Sequence, residues 1–308
     1  MKSYYRVSQG RGALYSEDAH TGGFIGVGWM PKTSLENESP SDFREFNQKF
    51  VPVYLEQHPD KTRIGAGLAC GQLYTVSFGI KKGDIVMVPN GQSEYYVGEV
   101  TGDYFFEPNH KLTHRRAVTW YPELLSREVM SESLRNSSGG ITTVINLSKY
   151  GEEIDALLEG KIPTALNSTD STIEDHSVFA LEKHLEDFLV KNWSTTELSK
   201  KYDIYTEEGE IVGQQYPSDT GPLDILAVSK DGKELLVVEL KRGRASDAVV
   251  GQIQRYMGYV KGELAEPGQT VRGLIIALED DLKIQRALSV NENIDFYTYK
   301  IQFSLEKQ

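Results

Sequence analysis

The sequence predicts two domains: an α+β N-terminal domain built on a small β-barrel with inserted helices, and an α/β C-terminal domain built on a mixed sheet flanked by helices. Three observations predict it. At 308 residues the chain is long enough for two domains of ordinary size. To about Leu125 it reads as short apolar runs broken by glycine, and beyond about residue 178 helical and strand patterns alternate.

The apolar runs FIGVGW (24–29), DIVMVPN (84–90), YYVGEVTGDY (95–104) and AVTWY (117–121) are read as strands of the barrel. SPSDFREFNQKFVPVYLEQHPD (39–60) carries apolar residues at helical spacing after the start signal Ser41-Asp42, with Pro52 expected to break or kink it. SESLRNSSGG (131–140) reads as a polar loop, and a short helix follows at about 149–159. KIPTALNSTDST lacks hydrophobic periodicity, which divides the chain into domains at 1–165 and 166–308.

In the second domain Val178, Leu181, Leu185, Phe188 and Leu189 fall on one face of a helix over 178–193. Strands at 222–229 and 234–240 precede a helix at about 247–261 capped by Ser246, and further strands are read at 271–279 and 295–305.

Composition narrows the function. Hydrophobic content of 39% and charged content of 25% are those of a soluble globular protein, and no apolar run approaches the roughly 20 residues that span a bilayer. The start, MKSYYRVSQGRG, lacks the apolar core of a secretory signal, and Cys70, the single cysteine, can form neither an internal disulfide nor a cysteine-based zinc site. A cytoplasmic location is expected. A net charge of −12 argues against a protein that coats nucleic acid by bulk electrostatics, so any DNA contact must be local. No phosphate-cradling G-x-x-x-x-G-K, G-x-S-x-G elbow or dinucleotide fingerprint is present. His110 and His114 have a spacing that could suit a metal, yet they flank a turn after Pro108 and lack a third ligand, so structural roles are expected.

The chemistry is concentrated in GPLDILAVSKDGKELLVVELKRGRASDAVVGQIQRYMGYVK (221–261). Asp231-Gly232 is a preferred pair for a two-residue type I′ hairpin. That loop pairs Lys230 with Lys233 and, further along, sets Asp224 opposite Glu239 on one side of the sheet, with Lys241 two residues beyond on the same face. Two facing carboxylates repel unless they share a proton or a cation. A hard divalent ion such as Mg²⁺ resolves the repulsion, and beside a lysine it suits phosphodiester hydrolysis. The plainer reading is a surface ion pair of Glu239 with Lys241 at the wet end of a strand. The aliphatic residues on both faces of the hairpin, among them Ile225, Leu226, Val237 and Val238, argue against it, because charges at the end of a two-sided buried hairpin need compensation.

The order Asp ("GPLDIL"), Glu-x-Lys ("VVELK"), then "VGQIQRY" resembles the core of the PD-(D/E)XK nucleases, most of all the NucS/EndoMS mismatch endonucleases, over roughly residues 178–261. The resemblance implies a restriction-endonuclease-like fold, with Asp224, Glu239 and the Leu240 carbonyl as metal ligands and Lys241 as the catalytic lysine. It further implies that Gln252 and Tyr256, one turn apart on a helix, point at the site. The acidic residue of the family's first helix corresponds to Glu182 in "LEKHLEDFL", with Glu186 as the alternative; by helical angle Glu182 lies nearer the apolar stripe. Arg242, Arg244, Arg255 and Lys261 form a local basic cluster where DNA phosphates could lie. The link STTELSKKYDIYTEEGEIVGQQYPSDT is longer than its counterpart in the family, so mismatch specificity is not carried over.

In the first domain "FIGVGW", "YYVGEVTGDY" and "HRRAVTW" resemble PUA-like or EVE-like domains of modification-dependent restriction enzymes. That resemblance implies a base pocket in which Trp29, Tyr104 and Trp120 supply ring faces and Asp103 and Arg116 supply polar contacts. The expectation is a Mg²⁺-dependent DNA endonuclease, with Mn²⁺ able to substitute, that selects modified or structurally unusual DNA in restriction or phage defence. A homodimer and a further defence-system protein are plausible partners. The alternatives are a non-cleaving reader of modified nucleic acid and a repair nuclease acting on mismatched or branched DNA.

Overall fold

A computed structural model describes residues 2–160, 185–246, 248–279 and 282–300, the side chains of Arg242 and Arg244 excepted. The chain forms two compact units, Met1–His176 and Ser177–Gln308. The expected boundary at 165/166 falls outside the described residues.

The N-terminal unit is a sheet covered by helices on both faces, with a short helix α1 (Ser16–Thr21) ahead of its second strand. Strands β1 (Tyr4–Val7), β2 (Phe24–Val27), β3 (Ile85–Pro89), β4 (Glu94–Phe106), β5 (His114–Trp120) and β7 (Val144–Asn146) lie in the order β2-β5-β4-β3-β1-β7, with β6 (Leu125–Ser126) also paired to β4. Pairing is antiparallel except between β1 and β3. Alternation along the strands builds two cores. Val86, Val88, Val100 and Val118 pack with residues of helices α2 (Phe43–Gln57) and α3 (Arg63–Tyr74). Ile85, Met87, Tyr95 and Val97 pack with α4 (Glu132–Ser138) and α5 (Gly151–Leu158). Among the described residues the strand path is open from β2 to β7, so the closed barrel expected from sequence is not made by strand pairing there.

Two local expectations are corrected. Pro52 lies inside α2, which continues to Gln57. Its start is fixed as expected by Asp42, whose side chain accepts from the Glu45 amide at 2.8 Å. The stretch 131–140, read as a loop, contains α4, capped by Ser131, whose hydroxyl accepts from the Leu134 amide at 3.1 Å.

The C-terminal unit is a mixed sheet in the order β11-β12-β13-β14-β15, formed by Gln214–Tyr216, Leu223–Ser229, Glu234–Arg244, Thr270–Glu279 and Ile294–Thr298. β8 (Tyr202–Ile204) adds to β12, and β9 (Thr206–Glu207) pairs with β10 (Glu210–Ile211) in a separate ribbon. β13 pairs antiparallel with β12 and parallel with β14, and helix α7 (Ala248–Tyr259) makes the crossover between the parallel strands. Helix α6 is described over 185–191 only, and α8 (Leu282–Leu288) precedes β15. The hairpin is buried on both faces, with Ile225, Leu226, Val237 and Val238 at 0% exposure.

Close backbone approach fixes the strand that flanks the hairpin. A Cβ at Gly213 would stand 2.2 Å from the Leu226 carbonyl oxygen and 2.9 Å from the Tyr205 nitrogen. Gly213→Ala is expected to lower stability by about 1–3 kcal/mol, the usual cost of overpacking. Urea unfolding of wild type and variant measures it.

Candidate active site

The predicted register is present. Ile225 stands opposite Val238, Leu226 opposite Val237, Ala227 opposite Leu236 and Val228 opposite Leu235. Continued one step, this sets Asp224 across from Glu239. The turn that produces the register is not type I′, which needs positive φ at both central residues. Gly232 has φ 71°, whereas Asp231 is absent from the positive-φ residues, and the Gly232 amide donates to the Ser229 carbonyl at 2.8 Å. Asp231 is a side-chain organiser instead, accepting from the Ser229 hydroxyl at 2.6 Å and the Lys233 amide at 3.1 Å.

Asp224 is held from two sides. One oxygen accepts from the Leu240 amide at 2.7 Å, and the other accepts from the Gln215 side-chain amide at 3.3 Å. Glu239 is 2% exposed, and one of its oxygens meets Lys241 Nζ at 2.8 Å. Burial, then the Glu239 and Glu186 carboxylates, push the Asp224 carboxyl well above the ordinary carboxylate range, against the opposing pull of the Leu240 amide and Lys241. The structure therefore keeps the charge conflict that the sequence implies.

Helix α7 closes one side. Its buried residues include Val249, Ile253 and Tyr256, and Gln252 Nε2 donates to the Tyr256 hydroxyl at 3.4 Å. Burial first, then the Glu239 and Asp224 charges, push that hydroxyl's pKa up, so Tyr256 lies within the field of the two carboxylates. Gly221 adjoins it, and its φ of 122° favours glycine there, although a Cβ would stand 3.4 Å from the Tyr256 oxygen in ordinary contact.

On the described part of α6, Glu186, the alternative read from sequence, is 4% exposed; Glu182 lies outside the described residues. One Glu186 oxygen accepts from Gln214 Nε2 at 2.6 Å, and the other accepts from Gln215 Nε2 at 2.5 Å. Gln214 also donates to Asp187 at 2.8 Å. Neither glutamine stood out in the sequence, although a Gln-Gln pair one strand before the key aspartate is a signal that could have found them. Arg255 and Lys261 are exposed, Arg255 on α7 and Lys261 beyond its C-terminal end, and the side chains of Arg242 and Arg244 lie outside what is described.

Of the residues read as a base pocket, Trp29, Tyr104 and Trp120 all pack against the α2/α3 core, each with its own further partners. Tyr104 pairs with Arg116 across β4 and β5. The Tyr104 hydroxyl bonds His114 Nδ1 at 2.9 Å, and Arg116, 5% exposed, donates to the Ser77 carbonyl at 3.0 Å. Trp120 also packs with His20 and Tyr96, whose rings stack at 4.0 Å. Asp103 is exposed and paired with Lys82 at 2.7 Å, and Trp29 packs against the α2/α3 core. His114 is fully buried, and burial lowers its pKa to about 4. His110 Nδ1 accepts from the Leu112 amide at 3.0 Å, so the two histidines have separate partners.

A divalent ion fits the C-terminal donor set. Asp224, Glu239 and the Leu240 carbonyl are all oxygen donors, which suits a hard cation. Among the described residues no three Asp, Glu, His or Cys side chains are grouped to hold an ion by themselves, so water would complete the shell. No helix among them is long and apolar enough to cross a membrane.

Comparison with known proteins agrees with the motif. Residues 182–303 match the family model of the endonuclease NucS C-terminal domain, and residues 5–148 match a domain of unknown function, DUF8426. Endonuclease NucS of Sulfolobus acidocaldarius is 28% identical over 170 residues, which is 54% of this chain and 59% of that protein. Endonuclease NucS of Methanocaldococcus jannaschii is 32% identical over 94 residues, 30% of this chain and 34% of that one. This chain thus spans between 34% and 59% of those two curated relatives. A crystal structure of a repair endonuclease from Pyrococcus abyssi aligns with 69% of this chain and 66% of its own at 16% identity and a TM-score of 0.31. The C-terminal domain is therefore NucS-like.

Proposed function

We propose that the protein is a divalent-metal-dependent DNA endonuclease whose reaction centre is the Asp224–Glu239–Lys241 face of the β12–β13 hairpin. The observation that carries this reading is a buried Glu239 facing a half-buried Asp224 beside a lysine, with Asp224 pushed out of its ordinary range. A like-charge pair held largely out of water is costly to a structural core and useful in a metal site. Asp224, Glu239 and the Leu240 carbonyl would hold Mg²⁺ or Mn²⁺, which would supply Lewis-acid stabilisation of the phosphate and a more acidic water. Lys241 would stabilise charge developing on the phosphate oxygens, and Tyr256 with Gln252 would wall the site on the α7 side.

The N-terminal unit would select the DNA. Its separate fold and the half-buried rings of Tyr96 and Trp120 support a recognition role, and modified or structurally unusual DNA is the target class we infer, in restriction or phage defence. The test uses paired plasmids, unmodified and carrying modified cytosines, incubated with Mg²⁺ or EDTA and wild type or Glu239→Ala. Cutting that needs Mg²⁺ and Glu239 is expected, with preference for modified DNA. Equal cutting of both plasmids removes the modification reader, and binding without cutting supports a non-cleaving reader.

A further inference from the structure

We propose that Gln215 is a positioning residue of the metal site, its side-chain amide bridging Glu186 to Asp224 so that the Asp224 ligand is held in the orientation a divalent ion meets. This rests on the metal-dependent reading above. Gln215 sits opposite Asp224 by register, because Gln214 pairs with Ile225 and Tyr216 with Leu223. One Nε2 group serves both carboxylates, at 2.5 Å to Glu186 and 3.3 Å to Asp224. Asp224 has its other oxygen fixed by the Leu240 amide at 2.7 Å, so the Gln215 contact restrains the remaining one. Glu186 is restrained at both oxygens, by Gln214 and by Gln215.

The backbone shows that the position is built for this contact. Gln215 has φ 51°, a left-handed conformation that a regular strand does not use and that non-glycine residues other than Asn and Asp seldom adopt. Such conformations cost free energy and persist where surrounding structure over-determines them. At Gln215 the conformation accompanies a side-chain amide hydrogen-bonded between two acidic groups, and groups that orient metal ligands typically contribute 10- to 100-fold to metal affinity or activity.

The experiment is Mn²⁺ binding to the full chain, followed by electron paramagnetic resonance, for wild type, Gln215→Gly, Gln215→Asn and Asp224→Ala. Glycine removes the amide while easing the left-handed backbone, and asparagine tolerates that backbone but has an arm too short to span both carboxylates. Both Gln215 variants are expected to weaken Mn²⁺ binding by about 10- to 100-fold and to broaden the spectrum of the bound ion, with the KM for DNA unchanged. Binding within twofold of wild type in either folded variant overturns the role of Gln215 and leaves the metal site standing, provided Asp224→Ala abolishes binding. Absence of Mn²⁺ binding in wild type, or its survival in Asp224→Ala, overturns the metal site and the role of Gln215 with it.

Discussion

Lys241→Ala is expected to slow DNA cleavage by about 100- to 1,000-fold, the loss seen when one preorganised donor to developing charge is removed. The side chain is 29% exposed and its ammonium lies 2.8 Å from Glu239, so it is anchored at one end of the site and open to a substrate at the other. Metal binding should not weaken with it. A cation and the ammonium would both draw on the Glu239 carboxylate and repel one another, so Mn²⁺ affinity is expected to be equal or higher in the variant. Single-turnover cleavage with Mg²⁺, measured beside Mn²⁺ titration, separates the two effects. An unchanged cleavage rate would take Lys241 out of the chemistry.

Asp224→Asn is expected to reduce cleavage by about 100- to 10,000-fold, equivalent to the several kcal/mol of charge stabilisation a metal supplies. Its effect on stability runs the other way. The native protein raises the Asp224 pKa above its unfolded value, chiefly by burial. A raised folded value means the native state holds the proton more tightly, so the linked stability is present in acid and is lost as pH rises through the folded value. The asparagine variant escapes that loss while keeping an oxygen for the Leu240 amide. Without metal it should melt above wild type at neutral and alkaline pH, and the difference should vanish in acid. Mg²⁺ should stabilise wild type increasingly as pH rises, because binding needs the ionised carboxylate, and should leave Asp224→Asn unmoved. Melting curves across pH, with Mg²⁺ or EDTA, measure all three effects; a variant that melts below wild type at every pH would contradict the assignment of burial cost to this residue.

What the sequence revealed followed the strength of its patterns. The strands around Leu223–Ser229 and Glu234–Arg244 were legible because a loop signal set the register, even though Asp231 keeps that register through side-chain hydrogen bonds and not by a left-handed backbone. Helix α3 gave no amphipathic signal because every residue from Ile64 to Leu73 is buried, and a helix surrounded by protein has no polar face. Gly71 shows how small residues serve there, since a Cβ would stand 2.6 Å from the Phe43 ring. In the site, Asp224, Glu239 and Lys241 were readable from local spacing. Gln214 and Gln215 were not, because their meaning comes from Glu186 across 28 and 29 positions. The link over 194–220 contains β11, which lies beside Asp224, and β8, which pairs with Ala227–Ser229 at the other end of β12. Helical angle alone favours Glu182 over Glu186, and it carries no information on the Gln214 and Gln215 partners that hold Glu186 from another strand.

The β12–β13 hairpin also sets an order of assembly. The Asp224 carboxylate and the Leu240 amide are 16 positions apart, whereas Glu186 must find β11 over nearly twice that distance and β14 joins β13 only after α7 has formed the crossover. Contacts of short separation close with the smaller entropy loss and are favoured early in folding. The proposed ligands, all on the hairpin, are therefore brought together first and their tethers arrive later, so a fault in the late-arriving strand leaves the ligands assembled but slack, while a fault in the hairpin removes ligands and tethers alike.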